Sequence, residues 1–134
     1  MIGQMTRDQR RAQYAYQCAG EVMKLGDQQR QEYRTLVMGL GPLVLRSGLV
    51  TALAFLQRRA KDEDRNAAAI LFEHLASADI PGLRPDRGEA PEQICALARH
   101  LELEPTMLAT RELIKVVEWL KRAAEATLPS EHRT

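Results

Sequence analysis

Apolar residues return every three or four positions along most of this chain and nowhere alternate with polar ones long enough to make a strand. That period predicts helices. Ala12, Ala15, Ala19, Val22 and Met23, with Tyr16 alongside, mark one face of a first helix that Thr6 can N-cap and that runs to about Leu25. Gly26 ends it and Asp27 caps a second, roughly 28–39. Gly39, Gly41 and Pro42 predict a break, with Pro42 in the first turn of a short helix through Arg46. After Ser47-Gly48, a helix over 49–60 carries Leu49, Leu53 and Leu56 on one face, with Phe55 beside them read as core. Asp62 caps a helix to about Ala78 whose stripe is Ala67, Ile70, Leu71 and Leu75. Residues 79–90 hold two prolines and two glycines and predict a loop. Pro91 opens a helix to about Leu103, and Pro105 opens the last and longest, about 106–127. Its apolar face is Leu113, Val116, Val117, Leu120 and Ala124; its polar face is Arg111, Lys115, Glu118 and Arg122, with Glu118 four before Arg122. The pattern predicts an all-α, single-domain helical bundle of five to seven helices over residues 6–128, its long first and last helices paired. Residues 1–5 read as a flexible leader and 129–134, from Pro129, as a flexible tail.

Composition narrows this little. A chain of 134 residues is about one domain, and 45% hydrophobic residues exclude wholesale disorder. A net charge of +1 gives no global pull towards nucleic acid or membrane. The halves differ, however. Residues 1–61 hold ten Lys and Arg against four Asp and Glu, while residues 62–134 hold nine against fourteen. Of the 19 basic residues 15 are Arg, whose planar fork suits phosphate, although codon composition gives the same bias. Cys18 and Cys95 lie in apolar helical patterns without a CxxC, which favours buried free thiols in a reducing cytoplasm. Met1–Arg11 lacks the apolar core of a signal peptide, and no run nears the ~20 apolar residues that span a bilayer. A soluble, cytoplasmic protein without membrane contact is the expectation.

Catalytic signatures are missing. His74, His100 and His132 stand 26 and 32 residues apart and read as partly exposed structural side chains rather than zinc ligands. There is no GxSxG; Gly39-Leu40-Gly41 lacks the strand and lysine of a phosphate loop and reads as a helix break. Asp62-Glu63-Asp64 diverge around a helix start, where acids cap rather than chelate. No enzyme, cofactor or metal is expected. The candidate chemistry is electrostatic. Arg7, Arg10 and Arg11 sit where the helix dipole disfavours cations and so invite a partner; Arg30 and Arg34 lie four apart; Arg46, Arg58, Arg59 and Lys61 end helices, where the dipole itself explains them. Gathered in space they would follow a phosphate backbone without reading bases; scattered, they are ordinary surface charge.

Three stretches, in order, resemble the small (fifth) subunit of type III-B CRISPR Cmr RNA-targeting effector complexes. The first is Arg11-Ala12-Gln13-Tyr14-Ala15-Tyr16. The most specific runs from Leu40 to Leu56 and includes Pro42, the Gly48-Leu49 step and Leu53-Ala54-Phe55-Leu56. The third is Glu118-Trp119-Leu120-Lys121-Arg122-Ala123-Ala124, in which Trp119 reads as half core and half interface. Ser47 replaces the family's usual Asn before the glycine, and Met107 or Leu108 its frequent tyrosine.

The resemblance implies a non-catalytic, all-helical subunit that stacks as a minor filament in a ribonucleoprotein for antiviral defence. Its implied partners are a large polymerase-like subunit, a repeated backbone subunit, neighbouring copies of itself, and guide and target RNA through the phosphate backbone. In that family the backbone subunits cut target RNA and the large subunit makes cyclic oligoadenylate. The isolated chain is expected to be monomeric. The candidates for phosphate contact are Arg10, Arg11, Arg46, Arg58, Arg59, Lys61, Lys121 and Arg122. A helical protein–protein adaptor without RNA contact is the alternative, and a metal-dependent nuclease a third.

Overall fold

A computed structural model describes residues 5–61 and 66–129. These form six helices and no strand: α1 (Arg7–Met23), α2 (Asp27–Ser47), α3 (Leu49–Ala60), α4 (Ala67–Ala76), α5 (Gln93–His100) and α6 (Leu103–Thr127). The all-α bundle thus matches its sequence pattern. Residues 1–4 of the expected leader 1–5, the acidic run Asp62-Glu63-Asp64 and residues 130–134 of the expected tail lie outside the described residues.

Thr6 caps α1 through a full capping box: its hydroxyl accepts from Gln9 N, and the Gln9 side chain accepts from Thr6 N. Ala15, Cys18, Ala19 and Val22 form the buried stripe. Gly26, rather than Asp27, is the N-cap of α2. The break expected at Gly39, Gly41 and Pro42 does not occur; α2 runs 21 residues through Pro42 to Ser47. Pro42 forfeits one backbone bond, and an interior proline costs ~3 kcal/mol. Tyr33, Leu36, Val37, Leu40 and Val44 stay in one buried register across it, and that burial outweighs the loss. The chain turns instead at Gly48, whose φ of 93° and ψ of 162° suit only glycine.

Asn66 caps α4 by accepting from Ala69 N, while its amide donates to Arg59 O at the end of α3. The loop after α4 is anchored by buried Ile80 and Leu83, and Gly82 (φ 83°) packs against Leu101. Pro91 falls in the tight turn just before α5 rather than in its first turn. Glu102 is the N-cap of α6, and Pro105 sits in its first turn, where its missing N–H forfeits no intrahelical bond.

The three longest helices are tied at one end. Gln31 donates to Pro129 O and Arg34 to Ala124 O, so α2 and α6 run antiparallel. Arg11 meets Glu112, and α1 ends where α2 starts, so α1 runs parallel to α6. Phe55 contradicts its reading as core: it is 44% exposed, a quarter-turn off the buried Leu49, Ala52, Leu53 and Leu56.

Candidate functional site

The start of α1 is organised by a carboxylate that α6 buries. Glu112 is 2% exposed, on the apolar side of α6 between Ala109 and Leu113. Its Oε1 accepts from Arg11 and, at 3.4 Å, from Arg7; Arg111 and Lys115 approach Oε2 at 3.7 and 3.8 Å. Four cations thus surround one anion. The Arg11 bond holds the Glu112 carboxyl below its ordinary value, against the opposing effect of burial. Arg11, with a side chain only 10% exposed, is therefore largely committed inside the protein.

Around this pair opens a groove of about 430 Å³ lined by Arg7, Arg10, Arg11, Tyr14, Asp79 and Arg84, with Val116 and Leu120 among its walls. Arg7 stays 66% exposed, and Arg84 is paired with solvent-facing Asp79 at 3.0 Å. Arg10 bonds only the Met5 carbonyl and points no charge at an acid among the described residues. Such a groove, cationic at its rim and partly apolar at its base, is suited to an anion on an organic frame.

Further cations lie along the antiparallel α2 and α3, with Arg46 at the end of α2 and Arg58, Arg59 and Lys61 at the opposite end of the pair, where Arg59 reaches Glu32. Arg46 and Arg59 line a groove of about 290 Å³ with Thr35, Leu36, Leu40, Leu43 and Phe55. Arg59 bonds Glu32 at 3.3 Å and lies 5.8 Å from the centre of the Phe55 ring. Arg46, Arg58 and Lys61 are exposed and make no ion pair among the described residues. Lys121 is half-buried in a third groove, between α2 and α6, beside Met38, Pro42 and Leu45. Arg122 stacks on Trp119 at 4.9 Å instead of pairing with Glu118, and Trp119 packs partly into the core. The eight candidates therefore do not share one surface: Arg10 and Arg11 line one groove, Arg46 and Arg59 a second and Lys121 a third, Arg58, Lys61 and Arg122 line none of these, and Arg11 and Arg59 already hold acids.

Arg7, already singled out with Arg10 and Arg11 at the helix start, does line this groove, whereas Arg84 and Glu112 escape the charge pattern read along the sequence. Glu112 leaves a signal, an acid on an apolar stripe; Arg84 leaves none, since loop chemistry alone does not fix where a loop folds back. His74 is not partly exposed but 4% exposed, on the Ile70–Leu71–Leu75 stripe. Its Nδ1 lies 2.7 Å from Tyr33 Oη and its Nε2 2.9 Å from Glu21, while Tyr14 donates to its carbonyl. Both cysteines are buried free thiols, with burial pushing Cys18 up to about 12 and Cys95 to about 11. Among the described residues no group of three or more His, Cys, Asp or Glu converges to hold a metal, and no helix is long and apolar enough to cross a membrane.

Residues 7–127 match the family described as CRISPR-associated protein (Cas_Cmr5). The chain is 32% identical over 123 residues, 92% of its length, to a protein of Thermus thermophilus named CRISPR system Cmr subunit Cmr5, of which 96% is covered. It also resembles the crystal structure of a CRISPR-associated Cmr5 family protein from Thermus thermophilus, with a TM-score of 0.75 and 34% identity over 94% of this chain and 100% of that one.

Proposed function

Because the chain belongs to the Cmr5 family of CRISPR-associated proteins, we propose that it is the non-catalytic small subunit of a cytoplasmic type III-B Cmr ribonucleoprotein. In this reading it stacks with copies of itself as a minor filament, beside the repeated backbone subunit and the large subunit. Its basic grooves keep guide and target RNA along the backbone through phosphate contacts, in antiviral defence. The observation that carries the RNA half is the convergence of Arg7, Arg10 and Arg84, from a helix and a distant loop, on one groove. Their donor forks match phosphate oxygens and carry no base preference. Arg46, Arg58 and Lys61 add cations free of local acids among the described residues.

Co-purification tests the assembly. A tagged chain expressed in its native host is expected to bring down the large subunit, the backbone subunit and short guide RNAs. Recovery of the chain without them overturns the assignment. The adaptor alternative is favoured by the Arg11–Glu112 and Arg59–Glu32 pairs, which show arginines serving protein contacts. It predicts the same co-purification but no photocrosslink from this chain to RNA.

A further inference from the structure

We infer that the groove between α2 and α3 takes one unpaired nucleobase of an RNA strand, stacked against Phe55, with Arg46 on an adjoining phosphate. The inference rests on the RNA reading above and adds to it a contact with a base. Phe55 presents an aromatic ring to solvent, 44% exposed, although the core had room for its neighbours Leu53 and Leu56. The ring stands at the edge of a cleft whose walls are Leu36, Leu40, Leu43 and Leu56. At about 290 Å³ the cleft is at the small end of ligand pockets, which suits one planar ring better than a peptide helix. Two guanidinium groups frame it. Arg59 is tethered by Glu32 and stays near the ring, at a looser distance than Arg122 keeps from Trp119. Arg46 is exposed and unpaired among the described residues, which leaves it available to an anion. An aromatic face, an apolar slot and a free cation at one rim are the complement of a base joined to its phosphate, and stacking tolerates any base. Gly39 lines the slot, and a Cβ built there meets nothing within 4 Å, so the space beside α2 is open.

The chain carries its own reference for the test. It has two phenylalanines, Phe55 at the groove and Phe72 at 0% exposure. The full chain, with labelled phenylalanine rings, is titrated by NMR with triadenylate and with an abasic trinucleotide of the same charge. A stacked adenine shifts the Phe55 ring protons upfield, saturably, and leaves Phe72 unmoved; the abasic strand produces no such shift. Gly39→Leu, which fills the slot and suits a helix better than glycine, weakens triadenylate binding about tenfold and spares the abasic strand; Phe55→Leu does the same. A Phe55 that ignores triadenylate, or responds equally to both strands, overturns the inference, as does full affinity in Gly39→Leu. If arginine resonances respond to both strands while Phe55 responds to neither, the phosphate reading stands and the base pocket falls. If nothing responds to either strand, both fall. A Phe55 shift produced only by the backbone subunit makes the groove a protein joint and also overturns it.

Discussion

Arg11 on α1 donates to the carboxylate of Glu112 on α6, 101 positions away in the chain, where the acid is 2% exposed. This pair joins the two ends of the sequence and fixes which arginines at the start of α1 remain available to a partner.

Removing the acid leaves Arg11 part-buried without its counter-ion. Glu112→Ala is expected to cost about 3 kcal/mol, read as a fall in Tm of ~10 °C. Arg11→Gln lowers Tm as well, whereas Arg10→Gln, at a residue that among the described residues bonds only the Met5 carbonyl, leaves it within ~2 °C. Thermal unfolding followed by circular dichroism separates the three.

The same pair gives a pH dependence. Glu112 is held below its ordinary 4.5, chiefly by the Arg11 bond, so the folded state favours its ionised form. The stability it supplies is complete above the ordinary carboxylate value and is lost as pH falls through the lowered one. Urea midpoints measured from pH 7 downwards should fall below the carboxylate range, and fall less steeply in Glu112→Gln.

Gly48 occupies a backbone region that side chains resist, at φ 93° and ψ 162°. No atom crowds a Cβ there, so strain alone acts. Gly48→Ala is expected to destabilise by about 1–3 kcal/mol, while Gly39→Ala, in helical backbone, stabilises by up to ~1 kcal/mol. Equal effects from the two substitutions would contradict this account of the α2–α3 turn.

Burial raises both thiols, Cys18 to about 12 and Cys95 to about 11. Thiolate is the reactive form, so neither should react with Ellman's reagent at pH 8 in the native protein, and two should react in denaturant. A fast native phase at either cysteine would show that its helix opens.

Helix identity was readable because the buried stripes keep a strict period: Leu49, Leu53 and Leu56 face inward as their spacing requires. Pro42 was misleading because local chemistry argues for a break, while the stripe from Tyr33 to Val44 passes through it and wins on buried area. Phe55 was misread for the opposite reason: its size suggested core, and its angular position on α3 did not. For the site, the sequence indicates cations but not their counter-ions. Arg11 and Arg59 look as available as Arg10 and Arg46 until Glu112 and Glu32, each from another helix, are brought beside them.

The central claim is that the exposed cations paired with no acid among the described residues meet RNA phosphates in the assembled complex. It is tested most directly by reconstituting the complex with this chain carrying Arg10, Arg46, Arg58 and Lys61 all as Gln, and measuring target-RNA affinity against salt. The account predicts intact assembly, weaker binding, and a log–log salt slope shallower by about 0.7 for each cation removed from a phosphate. An intact complex with unchanged affinity and unchanged slope would contradict it.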